Sequence, residues 1–367
     1  MKNIYIGLMS GTSLDGIDIV AARFEPSFQL LASQSAIIPA ELKNKLLSLT
    51  QPGSNEIDLM GIADNALGQL FADATNQLID DNNIDRSQIR AIGSHGQTIR
   101  HRPECGFTLQ IGNANIIAEQ TRITTVADFR RRDMATGGQG APLVPAFHKA
   151  LLQSSVDDRI LLNVGGMANI TFLPCNIDQP VMGFDTGPGN VLSDAWIMHC
   201  LKQPFDHHGD WARSGSLNSA LLNDLLSLPY FSEAPPKSTG REQFNLDWVQ
   251  QILAGHSTLS DADVQRTLLE LTAESISSNI RQFVPSQQFE LFVCGGGSNN
   301  RFMLERLRLL MPQIKISTSD KLGIEADWME AAAFAWLAKR CLDGESGNVP
   351  DVTGASHERI LGSIHPA

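Results

Sequence analysis

Gly11-Thr12-Ser13-Leu14-Asp15-Gly16-Ile17-Asp18 separates two apolar runs, residues 3–9 and 17–24. Two strand-like runs joined by a short, glycine-bearing polar turn read as a β-hairpin. The same residues also suit phosphate. The glycines let backbone N–H groups, those of Leu14 and Ile17 included, approach an anion, and Thr12 and Ser13 add hydroxyl donors. Asp15 and Asp18 offer the hard oxygens that Mg²⁺ takes, directly or through its waters. An ordinary polar hairpin turn has the same composition, and no Gly-Lys-Ser/Thr follows to make a Walker A loop.

Further along, Gly183-Phe184-Asp185-Thr186-Gly187-Pro188-Gly189-Asn190 puts an acid at the end of a strand, 181–185, and a tight turn before a helix over 191–201. A helix N-terminus turns unpaired N–H groups toward anions, so Gly187, Gly189 and Asn190 are phosphate-contact candidates. Asn190 is the expected N-cap and Asp194 a favourable first-turn acid. Asp185 fits either a structural carboxylate or a reactive one. With Asn190 able to cap, it is the candidate catalytic residue.

A third turn, Cys294-Gly295-Gly296-Gly297-Ser298-Asn299-Asn300, follows a strand at 289–294. Three glycines leave a flat surface without Cβ atoms on which an adenine fits, with Asn299 in the same turn. A lone glycine run says little; its place in a series says more. Two phosphate turns followed by an adenosine turn is the order of the actin/Hsp70/hexokinase-type ATPase fold. That fold is α/β and ribonuclease H-like, with two lobes and a nucleotide cleft between them.

The remaining periodicity fits two such lobes. Residues 28–38 supply a third strand, and apolar positions recur at helical spacing through 56–80. A buried strand at 89–93 leads into Ser94-His95-Gly96-Gln97-Thr98, where a ligand-facing loop is expected. His95 and Gln97 there are candidate sugar contacts or parts of a structural His-Gly turn. Strands at 159–164 and 168–173 form a second hairpin, and helices are predicted over 261–283 and 327–342. The lobe boundary falls in the charged, glycine-rich, non-periodic 125–145, giving lobes 1–130 and 131–367, with helix 327–342 able to cross back to the first. Arg130, Arg131 and Arg132 in that boundary offer guanidinium groups suited to a carboxylate, or pair with Asp128 and Asp133. Arg131 is carried forward as the candidate. Gly137, Gly138, Gln139 and Gly140 read as a hinge or lid element. Glu330 opens a helix that is otherwise small and apolar, and either reaches substrate or caps that helix. Residues 203–240 read as a polar excursion, and the last stretch of chain as an irregular tail.

Composition narrows the class. Of 367 residues, 42% are apolar and 19% charged, enough for a substantial core. A net charge of −12 opposes a nucleic-acid partner. Five scattered cysteines without CxxC spacing exclude an obvious zinc site and point to buried, reduced thiols. No run approaches transmembrane length and no signal peptide is evident, so a cytoplasmic protein without a membrane partner is expected.

Together, MSGTSLDGID, SHGQT, FRRRDMATGGQGAPLVP, NVGGMAN, GFDTGPGN and CGGGSNN resemble the anhydro-N-acetylmuramic acid kinase family, over about residues 4–342. The resemblance implies a sugar kinase that uses ATP and Mg²⁺, opens the 1,6-anhydro bridge of its substrate with water, and phosphorylates the freed O6. It implies Asp185 as the one base, and a role in recycling cell-wall sugars. Such kinases are often homodimers. Two other activities share the fold: phosphorylation of an ordinary hexose, and an actin- or Hsp70-like ATP switch. A plain glycosidase with paired carboxylates would leave three nucleotide turns unexplained.

Overall fold

The computed structural model describes residues 3–11, 14, 16–256 and 259–367. The chain forms two compact units, Met1–Leu151 with Trp328–Ala367, and Leu152–Asp327. Unit 1 thus extends past the boundary expected at residue 130 and includes the helix Met329–Asp343.

Unit 1 is built on a mixed sheet of β1 (Ile4–Ser10), β2 (Ile17–Arg23), β3 (Gln29–Ala36), β4 (Ile89–Arg102), β5 (Phe107–Ile111), β6 (Thr125–Ala127) and the closing strand Ser363–His365. β1, β2 and β3 form an antiparallel meander, with Leu8 opposite Ile19. β4 adds parallel to β1 and β6 parallel to β4. The period-2 alternation of β1 decides what covers each face. Ile4, Ile6 and Leu8 enter the core with Leu67, Phe71 and Leu78 of the helix Glu56–Asp81. Gly7 and Gly93, register partners on β1 and β4, belong to the side covered by Met329–Asp343. A Cβ on Gly7 would lie 1.8 Å from the Ala331 carbonyl oxygen, and one on Gly93 2.0 Å from that of Phe334. The alanines of that helix let its backbone rest directly on the strands.

Unit 2 carries β7 (Arg159–Val164), β8 (Met167–Leu173), β9 (Met182–Pro188), β10 (Glu290–Cys294) and β11 (Lys315–Thr318). Its order, β11-β10-β7-β8-β9, is an antiparallel meander extended by two parallel strands. Unit 1 repeats it as β6-β4-β1-β2-β3. The helix Asp261–Phe283, capped by Ser260, packs on this sheet through Leu269, Ala273, Ile276 and Ile280.

Other expectations change. Ser94–Thr98 lies within β4 rather than in a loop, because β1 and β5 both pair through it. The polar excursion contains the helices Asp210–Ser214 and Ser219–Leu226 and contributes Leu221, Leu225, Tyr230 and Phe231 to a separate core. The tail is ordered: it buries Val352 and Leu361 and ends as a strand on β6. All five cysteines are free, but only Cys294 and Cys341 are buried. No helix among the described residues is long and apolar enough to cross a membrane.

Candidate active site

In unit 2, Asp185 lies within β9, opposite Asn169 of β8. The segment after Tyr230 brackets it. Asp185 N–H donates to the Lys237 carbonyl (3.1 Å), and Tyr230 Oη–H donates to the Asp185 carbonyl (2.7 Å). The carboxylate accepts one hydrogen bond among the described residues, from Thr239 N–H to Oδ2 at 3.0 Å. Burial pushes its pKa up to about 7; the Thr239 N–H opposes this, nearby Glu242 adds to it, and Lys237 opposes it. Lys237 is itself buried, which lowers its pKa to about 8. Its Nζ donates to the Tyr230 carbonyl (3.0 Å) and stands 4.7 Å from the Tyr230 ring centroid. Sequence reading missed Tyr230, Lys237 and Thr239, because a polar segment that returns to a strand end carries no periodic signal.

The turn after Asp185 differs from expectation. Asn190 holds the expected N-cap position of the helix Val191–Leu201, but its side chain makes no capping bond; its Nδ2 donates to the Val164 carbonyl (3.1 Å). The N–H groups of Gly189 and Val191 donate to Gly166 O, and that of Asn190 to Gly165 O. A Cβ on Gly189 would lie 2.4 Å from Gly165 O, so two glycine turns touch backbone to backbone. Gly187 has φ +147°, and a Cβ there would meet Phe231 at 2.8 Å.

In the third turn the glycines have unequal reasons. A Cβ on Gly295 would lie 2.3 Å from Asn163 Oδ1, and one on Gly297 2.5 Å from Val164 Cγ1. Both are required by packing on β7. Only Gly296 has nothing within 4 Å of that position and offers open surface. Asn299 Nδ2 donates to Asp327 Oδ1 at 3.4 Å, and its carbonyl is 3.0 Å from His208 Nδ1.

Unit 1 holds the remaining candidates. Thr12, Ser13 and Asp15 lie outside the described residues. Gly11 O accepts from Leu14 N–H (3.2 Å), while Gly16 O faces Ser10 Oγ at 3.4 Å. Leu14, at φ 56°, is 2% exposed, and it and Ile17 belong to the core. Asp18 Oδ1 accepts from Ser35 Oγ at 2.7 Å. Gln97 is buried, its Oε1 accepting from Ser10 Oγ (2.6 Å) and its Nε2 donating to the Thr98 carbonyl (3.2 Å).

His95, Arg130 and Glu330 come together. The His95 ring packs on Phe334 with centroids 4.7 Å apart. Arg130 donates through Nε (3.2 Å) and Nη2 (2.8 Å) to His95 Nε2, and through Nη1 to the Gly140 carbonyl (2.8 Å). Arginine only donates, so Nε2 is the acceptor and the ring proton resides on Nδ1. Burial, then the Arg130 charge, holds the His95 pKa well below its usual value, so the ring is neutral. Arg130 is lowered to about 10 by burial, with Glu330 and then Asp133 favouring its charge, and it stays cationic at neutral pH. Three of its five N–H groups are spent in this way, which leaves two among the described residues. Arg131, the sequence candidate, is instead on the surface, donating to Asp128 Oδ1 at 2.7 Å. Helix phase explains the exchange. Phe129 and Asp133, four apart in Phe129–Met134, face inward, and Arg130 sits beside that stripe while Arg131 does not.

A ribonuclease H-like strand order occurring twice in one chain is the architecture of the actin-like ATPases. Within that class the chain belongs to the anhydro-N-acetylmuramic acid kinase family, whose model matches residues 3–367. A relative of that name from Shewanella pealeana is 53% identical over 371 residues, covering 100% of this chain and 99% of the relative. Another from Pseudomonas syringae pv. syringae is 50% identical over 367 residues and covers both chains completely.

Proposed function

We propose that the protein is an ATP-dependent kinase that opens 1,6-anhydro-N-acetylmuramic acid with water and phosphorylates O6, giving N-acetylmuramate 6-phosphate and ADP. Family membership supports the substrate. The observation that carries the chemistry is Asp185, an acid within β9 whose pKa is raised to about 7, two residues before Gly187. A general base works best with a pKa near the working pH. Asp185 takes one proton from a water; the water oxygen bonds to C1 and keeps its other proton. The C1–O6 bond breaks, its electron pair passes to O6, and O6 bonds to the γ-phosphorus as the bond to ADP breaks. The proton on Asp185 then leaves to solvent.

Unit 1 carries the groups that fit a sugar acid. Arg130 keeps two N–H groups for a carboxylate, and Glu330 suits sugar hydroxyls. His95 aligns Arg130 and carries no charge of its own. The first turn, with Thr12, Ser13 and the 11–18 backbone, and the turns at 187–190 and 295–299 are assigned to the nucleotide. Open Gly296 is the point of closest approach in the last of these. Mg²⁺, when bound, neutralises phosphate charge; Asp15 and Asp18 are the acids suited to hold its waters. The same reading makes the enzyme a cytoplasmic homodimer that recycles peptidoglycan sugars.

A coupled ADP-release assay with 1,6-anhydro-N-acetylmuramic acid against a hexose panel tests this. Selective stimulation by the anhydro-sugar is expected, and stimulation by hexoses alone overturns it. In ¹⁸O-water, label at C1 beyond the anomeric-exchange control marks ring opening.

A further inference from the structure

Unit 1 contains a buried acid that this chemistry leaves unused. Asp133 is fully buried in the helix Phe129–Met134. Its carboxylate accepts three hydrogen bonds, each 2.8 Å: Gly140 N–H to Oδ2, and Asn348 Nδ2 and Thr353 Oγ1 to Oδ1. Gly140 is used on both sides, because its carbonyl accepts from Arg130 Nη1. A continuous path therefore runs from the C-terminal segment through Asp133 and Gly140 to Arg130 and on to His95.

The glycine stretch 137–140, expected to hinge or to form a lid, is fastened. Gln139 N–H donates to Thr353 O (2.8 Å) and Ser356 N–H to Thr136 O (2.9 Å). A Cβ on Gly138 would lie 2.2 Å from Asp133 Oδ2, so that carboxylate occupies the space a side chain would need. The two backbone bonds already tie the loop to the tail without any charge. What the carboxylate adds is at Gly140. It anchors the Gln139–Gly140 amide, the peptide next to the one whose carbonyl meets Arg130, and sets negative charge near the Arg130 guanidinium.

We propose that Asp133 is a positioning residue for substrate binding: it anchors Gly140, whose carbonyl holds Arg130 with two N–H groups left for the substrate's carboxylate. This rests on the reading of Arg130 as a substrate contact. The experiment is calorimetric titration of the full-length protein with two sugars. One is 1,6-anhydro-N-acetylmuramic acid; the other is 1,6-anhydro-N-acetylglucosamine, which lacks the carboxylate. Asp133→Asn weakens binding of the acid about tenfold, the size of a charge-assisted hydrogen bond lost, and barely changes the neutral sugar. The preference for the acid therefore collapses. Gly138→Ala, which displaces the carboxylate without removing it, has the same effect and serves if Asp133→Asn does not fold. Thr353→Val strips one bond from Oδ1 and leaves Gly140 bound; it lowers the melting temperature and keeps the preference. An unchanged preference in Asp133→Asn or Gly138→Ala overturns the positioning role. If Arg130→Gln keeps the preference as well, the reading of Arg130 falls with it.

Discussion

Asp133 in unit 1 accepts hydrogen bonds at both carboxylate oxygens, whereas Asp185 in unit 2 receives Thr239 N–H at one oxygen among the described residues. Asp133 is fully buried, and Asp185 is half-buried. A carboxylate that accepts at both oxygens is an anchor, since each bond fixes its direction. A sheltered carboxylate short of donors keeps an affinity for protons. Asp185, with Glu242 adding to the effect of burial, has the second character. The same side chain thus suits a brace or the base proposed above according to how many N–H and O–H groups the fold turns toward it.

The contrast can be broken most severely at Asp185. Asp185→Asn keeps the shape and removes the base, so turnover falls by roughly 10²–10⁴-fold while ATP binding by calorimetry is retained. Near-normal turnover would end the assignment. Asp133→Ala leaves three buried donors without their acceptor and lowers unfolding free energy by about 3 kcal/mol or more in a urea titration. A loss below 1 kcal/mol would mean that the brace is ornamental. Gly7→Ala, a control away from both acids, costs about 1–3 kcal/mol by overpacking the helix against β1. The smallest effect concerns pH. Asp185 must be ionised to act, so kcat/KM falls as pH drops through about 7. Glu242→Gln removes a charge that raises the Asp185 pKa, and the acid limb moves to lower pH. A limb that stays put would show that Glu242 is not felt at the carboxylate.

The sheets were legible in the sequence where period and punctuation agreed. The hairpins of β1 with β2 and β7 with β8, and the helices Val191–Leu201 and Asp261–Phe283, fall where apolar periodicity and polar turns predict. Ser94–Thr98 was opaque because its polar residues are buried and pair with β1 and β5, so burial there tracks hydrogen bonding rather than hydrophobicity. The tail was opaque for a related reason: Asn348 and Thr353 are ordered by an acid more than two hundred positions away. Among the candidate residues, Asp185 was visible as an acid closely followed by glycines, although β9 runs on past it to Pro188. The choice of Arg130 over Arg131 needed the phase of a six-residue helix, too short for periodicity to fix. The caps also depended on context, since the Asn190 side chain prefers Val164 O to its own helix.

Gly7 and Gly93 carry a consequence beyond packing. With no side chain at either position, the helix Met329–Asp343 bears on the sheet through its own peptide groups, at Ala331 and Phe334. Peptide groups cannot change rotamer. The contact therefore works as a mechanical stop, and Glu330, in the first turn of that helix, inherits its depth from it. A side chain there would become a shim: each added methyl would lift the carboxylate away from β4, which carries His95, and under the proposed role of Glu330 affinity for the sugar would register the displacement.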